Sequence, residues 1–286
     1  MSGFFTLILQ VVIAVVVLYV VIFKILGLRV INSNEVAVVE QWWSAHGSLK
    51  DAIIALHKEA GYSPDLLRGG IHFKSVLKYK IHRYPLITIP QGQIAYIFSR
   101  DGNPLTPTQT LGKIVPEANN FQDVRGFLSN GGQRGPQRGI IREGTYAINL
   151  AQFIVITPND IKMIFTGNRN ERQELVSMQQ TLATRKAFQP VIIMNNNEDS
   201  TDSMGIVTVH DGQPLDEGEI IANSVGEGHS SYQDPEAFLK LGGRRGKQLQ
   251  VLTDGTYYIN RLFATVEYRP KTVVPIGYVG VVVSFF

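Results

Sequence analysis

This 286-residue sequence predicts a β-rich α+β fold: an N-terminal transmembrane helix followed by tandem small β modules, each with a short helix. Three observations carry that prediction. Residues 4–23 are apolar apart from Thr6, Gln10 and Tyr19, and carry no charge. A long internal repeat follows. Its segments are short β-branched runs bounded by glycine, the pattern of strands and turns.

The repeat keeps its order over four blocks. Asp101-Gly102-Asn103-Pro104-Leu105 returns as Asp211-Gly212-Gln213-Pro214-Leu215, and Phe121-Gln122-Asp123 returns as Tyr232-Gln233-Asp234. Phe127-Leu128 with Gly131-Gly132-Gln133-Arg134-Gly135-Pro136-Gln137 returns as Phe238-Leu239 with Gly242-Gly243-Arg244-Arg245-Gly246-Lys247-Gln248. Gly144-Thr145-Tyr146 returns as Gly255-Thr256-Tyr257, and 66–73 is a third, more diverged copy of that last block. Collinear self-similarity of this kind marks duplicated structural units.

The apolar run comes first in the chain. About 20 helical residues cross the ~30 Å hydrocarbon core of a bilayer. A cleaved signal would carry a basic start and a small-residue cleavage site, and neither is present. We read a retained single-pass anchor, with a cleaved signal and a re-entrant hairpin as alternatives. Lys24 and Arg29 flank its C-terminal end, which favours a cytoplasmic bulk by the positive-inside tendency. A C-outside arrangement stays open.

The elements follow in order. Glu35 to Glu40 reads as a strand. Ser48 reads as a helix N-cap, with Leu49, Ile53, Leu56 and Ala60 at helical spacing and Gly61 as the stop. Pro90-Gln91-Gly92 and Pro275-Ile276-Gly277 each open a tight turn before a strand, and Gly144 and Gly255 are turn glycines with φ > 0. Asp234 caps a short helix with Pro235 at its first position, and its counterpart covers about 122–128. Residues 159–188 hold a strand and a polar helix over about 170–186, and 191–194 read as a strand. The expected domains are the anchor (1–29), β module 1 (30–88), β module 2 (89–157), a strand/helix insertion with a loop (158–204), β module 3 (205–272) and the opening strand of a further module (273–286). Either a further domain is missing after that opening, or its strand pairs with an earlier unit or a neighbouring chain.

The candidate chemistry is sparse. The chain has no cysteine, which excludes disulfides, thiolate metal sites and a cysteine nucleophile. A net charge of +3, evenly spread, gives no nucleic-acid footprint. The six histidines lack zinc spacing. The acidic stretch 195–202 lacks the calcium-loop pattern. We therefore expect no catalytic residue, cofactor or metal, and an enzyme is the least favoured class. The glycine-arginine loops are the most tempting site. Arg134, Arg138, Arg244 and Arg245 stand beside flexible backbone that could clasp phosphate or a protein partner. A structural connection between helix and strand is the favoured reading of these loops.

The N-terminal span, the Pro-x-Gly turns, Asp-Gly-x-Pro-Leu, Phe-Gln-Asp, Phe-Leu-x-x-Gly-Gly-x-Arg-Gly and Gly-Thr-Tyr-x-Ile-Asn resemble bacterial flotillin-like proteins of the SPFH/band 7 group. The resemblance covers most of the chain after Val30. It implies a membrane-anchored scaffold, related to stomatins and prohibitins, that forms large rings or cages and organises a membrane microdomain. The implied partners are membrane lipid, further copies of the chain and a membrane protein. The vault-shell proteins share the plan of tandem β modules. The long coiled-coil helix of the family has no counterpart in these residues. The alternative expectation is a non-catalytic accessory or sensor subunit of a membrane enzyme, protease or transporter.

Overall fold

The computed structural model describes residues 2–166, 169–194 and 202–283. The chain is 32% strand and 19% helix, which makes it β-rich with few helices. It opens on α1 (Ser2–Val20), which continues into a wider π-helical turn (Val21–Ile25) where the Leu26 N–H reaches the Val21 carbonyl. Gly3–Phe23 is long and apolar enough to cross a membrane; a signal sequence would meet the same criterion.

Three groups of strands follow, with the same pairing scheme. The first holds β1 (Leu28–Ile31), β2 (Glu35–Gln41), β3 (Gly61–Leu67), β4 (Gly70–Phe73) and β5 (Tyr79–Pro85). Here β1 pairs with β4, and β2 lies between β3 and β5. The second holds β6 (Ile87–Ile89), β7 (Ala95–Ser99), β8 (Gly135–Ile141), β9 (Gly144–Tyr146) and β10 (Phe153–Ile156), with α2 (Val124–Ser129) before β8. Again β6 pairs with β9, and β7 lies between β8 and β10. After it, β11 (Ile161–Lys162) joins the edge at β10 and leads into α3 (Arg169–Thr184). The third group holds β12 (Val191–Ile193), β13 (Ser203–Val209), β14 (Ile221–Ala222), α4 (Pro235–Lys240), β15 (Gly246–Gln248), β16 (Gly255–Tyr257) and β17 (Ala264–Pro270). There β12 pairs with β16, and β13 lies between β15 and β17. Except for β14 beside β15, these pairings are antiparallel.

The chain forms two compact units: Met1–Pro107 with Leu111–Phe188, and Thr108–Thr110 with Gln189–Phe286. The first two strand groups share one core, in which Val38 and Ile54 join Ile89, Phe127 and Phe153. Of the stretch assigned above to the insertion, the described residues 189–194 and 202–204 belong to the second unit, where β12 is the partner of β16.

Several expectations are corrected. The segment 49–60 is not a helix. Its N–H groups are taken by tertiary partners: Ile53 and Ile54 donate to the Asp101 carboxylate at 2.6 and 2.7 Å, and Ala55 donates to the Tyr62 carbonyl. Gly61 opens β3 instead of ending a helix. The first strand group therefore has no short helix among its described residues. The two strands that flank the segment before Gly144 are not partners of each other, since β8 pairs with β7 while β9 pairs with β6. The opening strand expected after Val273 is absent over the described residues 273–283. The Gly277 turn forms, with the Tyr278 N–H on the Pro275 carbonyl, but no strand lies alongside to complete a ladder.

Candidate functional site

The repeated residues come first, because they are the sequence-level candidates. Gly92 and Gly277 take φ of 71° and 87°, and each sits third in a turn closed by an i+3 N–H onto the proline carbonyl. The proline holds position i, so its fixed φ is not what shapes the turn. Gly144 and Gly255 take φ of 144° and 153°, where a side chain is strained. In both copies the tyrosine two residues on folds its ring back over the glycine, and its hydroxyl donates to an upstream carbonyl.

The glycine-arginine loops serve the fold. The Arg134 N–H donates to the Asn103 carbonyl, and the Arg245 N–H donates to the Gln213 carbonyl. Each loop is thereby tied to the Asp-Gly-x-Pro-Leu segment of its own group. Arg134 and Arg245 are exposed. Arg244 donates to the Pro214 carbonyl and to Asp216. Arg138 is a correction: it is 5% exposed on β8, not part of a solvent loop. Behind the loops, a Cβ on Gly132 would stand 2.4 Å from the Phe127 ring, and one on Gly243 would stand 2.2 Å from Phe238. The second glycine of each pair is therefore the seat of that phenylalanine.

The other repeated polar residues are also engaged in structure. Asp123 and Asp234 cap α2 and α4 by accepting from Gly126 and Ala237. Gln122 accepts from the Ala147 N–H and Gln233 from the Tyr258 N–H. Gln137 and Gln248 each donate to two carbonyls of their own loop. One shared feature has no sequence signal that we used: Asn119-Asn120-Phe121 and Ser230-Ser231-Tyr232 are both runs of three left-handed residues. Each run drives its aromatic ring inward, where Phe121, Phe127 and Phe153 meet in one unit and Tyr232, Phe238 and Phe263 in the other.

Where the repeat is most diverged, in the first strand group, the surface differs. A cleft of about 440 Å³ opens there, lined in part by Trp43, His46, Lys58, Lys74, Lys78 and Tyr79. The Lys78 ammonium stands 5.3 Å from the Trp43 ring centre, and Lys74 stands 5.1 Å from that of Tyr79. On another wall Asp65 receives two hydrogen bonds from Arg125, at 2.7 and 2.8 Å. That guanidinium holds the Asp65 carboxyl below its ordinary value, against a smaller opposing effect of burial. On the opposite face of the same sheet, away from the cleft, His82 meets Glu40 at 2.7 Å across adjacent strands. Within the cleft, Trp43, Tyr79, Lys58, Lys74 and Lys78 give a cationic-aromatic surface suited to holding an anion. They do not converge as acid, base and nucleophile.

No cluster of three or more metal-ligating side chains occurs among the described residues. The acidic stretch considered for calcium lies outside them over 195–201. Fold and cleft together define a β-rich protein with a membrane-length apolar helix at its N-terminus. No protein-family model, curated protein or solved structure matches the chain.

Proposed function

We propose that this protein is a membrane-anchored scaffold of the SPFH/band 7 kind, built from tandem β modules, which associates laterally with its own copies and turns over no substrate. The observation that carries this reading is the use of the repeated residues. Aspartate caps, glutamines and glycines shared between groups are engaged in holding strands, helices and aromatic rings together. A duplicated surface that packs on its neighbour in one chain can pack on a neighbouring chain. Residues 273–283 add a second route. They repeat the opening of a strand group, expose Ile276, Val279, Val281 and Val282, and lack a strand partner among the described residues. The anchor confines copies to two dimensions, which raises their effective concentration. The bulk of the chain lies on the cytoplasmic side in this reading, following the basic flank of the helix.

The test is particle size in native-lipid particles, for the full-length chain and for one lacking residues 1–28. The scaffold reading expects a large uniform particle for the first and weaker, concentration-dependent association for the second. The cleft beside Trp43 favours the accessory-subunit reading instead, and a strictly monomeric full-length chain bound to one different protein would establish that.

A further inference from the structure

The three strand groups differ most where the first meets the end of α1. Aligned on the turn that precedes the central strand (Glu35 N–H to the Asn32 carbonyl, Gln93 N–H to the Pro90 carbonyl), Trp43 occupies the place of Asp101. Asp101 reaches back to the N–H groups of Ile53 and Ile54 in the first group. Asp211 does the same to the N–H and hydroxyl of Thr110, whose segment 108–110 is part of the second unit. The first strand group follows the apolar helix, not another strand group, and its corresponding side chain is an exposed tryptophan. Trp42 beside it is also exposed.

The outward face of the β1–β4 pair changes in the same sense. The cross-strand pair facing out is Thr88 with Thr145 in the second group and Ile192 with Thr256 in the third. In the first it is Val30 with Ile71, both more than half exposed, followed by Phe73 opposite Leu28. Burying such a face is favourable, and exposed apolar clusters of this kind mark contact surfaces.

The backbone brings these residues to the helix exit. Gly27 takes φ 67°, and a Cβ there would stand 1.9 Å from the Lys74 carbonyl oxygen, so only glycine admits the approach. The Lys74 N–H donates to the Gly27 carbonyl, and the Trp42 N–H donates to the Lys78 carbonyl. The loop 74–78 and the two tryptophans thus lie at the end of the first group nearest α1, with Leu77 72% exposed. Lys74 and Lys78 bracket that leucine. Tryptophan and lysine are the residues that settle at the boundary between acyl chains and headgroups, and lysine adds attraction to anionic lipid.

We propose that this face, formed by the β1–β4 pair, Trp42, Trp43 and the 74–78 loop, lies in the interfacial layer of the membrane that α1 spans, with Lys74 and Lys78 against anionic headgroups. The occupant is therefore an anionic bilayer surface. The proposal rests on the membrane-anchor reading. It adds that the first strand group is seated on the lipid and does not hang free on a tether.

The chain supplies its own probe, because its two tryptophans both belong to this face. Full-length protein is reconstituted into vesicles of phosphatidylcholine, with or without phosphatidylglycerol, whose acyl chains carry bromine near the headgroup or near the chain terminus. Flotation is read first and tryptophan emission second. The expected result is flotation together with loss of emission that is greatest for bromines near the headgroup and greater with phosphatidylglycerol. The Lys74→Glu/Lys78→Glu variant should lose the phosphatidylglycerol increment while still floating. Flotation with emission unaffected by bromine at either depth overturns the interfacial seat and leaves the anchor standing. If acrylamide also fails to quench, the face is covered by protein, and a second copy replaces lipid as its occupant. Failure to float overturns the anchor and the seat together.

Discussion

The first and second strand groups pair their strands in the same way yet spend their side chains differently. The second carries α2, three meeting phenylalanines and a carboxylate that reaches its neighbour. The first has a loop where that helix would be, and exposed Trp43, Ile71, Phe73 and Leu77 at its open end. The backbone plan tolerates both sets. Residues common to the second and third groups therefore report what the plan needs. Residues peculiar to the first report what lies next to it.

Variants can break this comparison. The largest effects should come from the aromatic seats. Phe127→Ala and Phe238→Ala remove fully buried rings and should each cost about 3–5 kcal/mol in denaturant unfolding. Next come the glycines beneath them. Gly132→Ala and Gly243→Ala force a methyl into those rings and should cost about 1–3 kcal/mol, read as a lower urea midpoint. Gly255→Ala, at φ 153°, should lower the thermal midpoint by the equivalent of about 1 kcal/mol. An unchanged midpoint in any of these would detach the shared motif from the fold.

The smallest effect sharpens the junction between the first two groups, where Arg125 of α2 holds Asp65 of β3. The folded Asp65 carboxyl sits below its ordinary 3.8, because of the Arg125 hydrogen bonds. Its contribution is complete above that value and is lost as pH falls through the lower folded one. Asp65→Asn should therefore lower stability slightly at neutral pH, converge with the parent at low pH, and flatten the acid limb by that same small amount, the pair being exposed.

The parts legible in the sequence were those set by local chemistry. Asp234 with Pro235 gave the start of α4, and glycine before Thr-Tyr gave the positive φ. The spacing of Leu49, Ile53 and Leu56 suggested a helix because apolar periodicity cannot show that Asp101, 48 residues later in the chain, takes the Ile53 N–H. The left-handed run at Asn119 is hidden for a related reason: asparagine visits that region singly, but three such residues in succession, ending on Phe121, are held by tertiary packing. Arg138 lay in a glycine-rich string that reads as loop, yet it sits on a buried strand whose partner is β7. The cationic-aromatic face was invisible for another reason: Trp43, Leu77 and Lys78 meet only once β2 and β5 are paired.

The most direct test of the central contrast is the urea midpoint of the full-length Phe73→Ser/Leu77→Ser variant in detergent, beside that of Phe127→Ala. The account expects the double variant to stay within about 0.5 kcal/mol of the parent, as exposed positions do, while Phe127→Ala falls by several times that. A fall in the double variant comparable to that of Phe127→Ala would contradict it, since the apolar residues of the first group would then serve its core and not a surface.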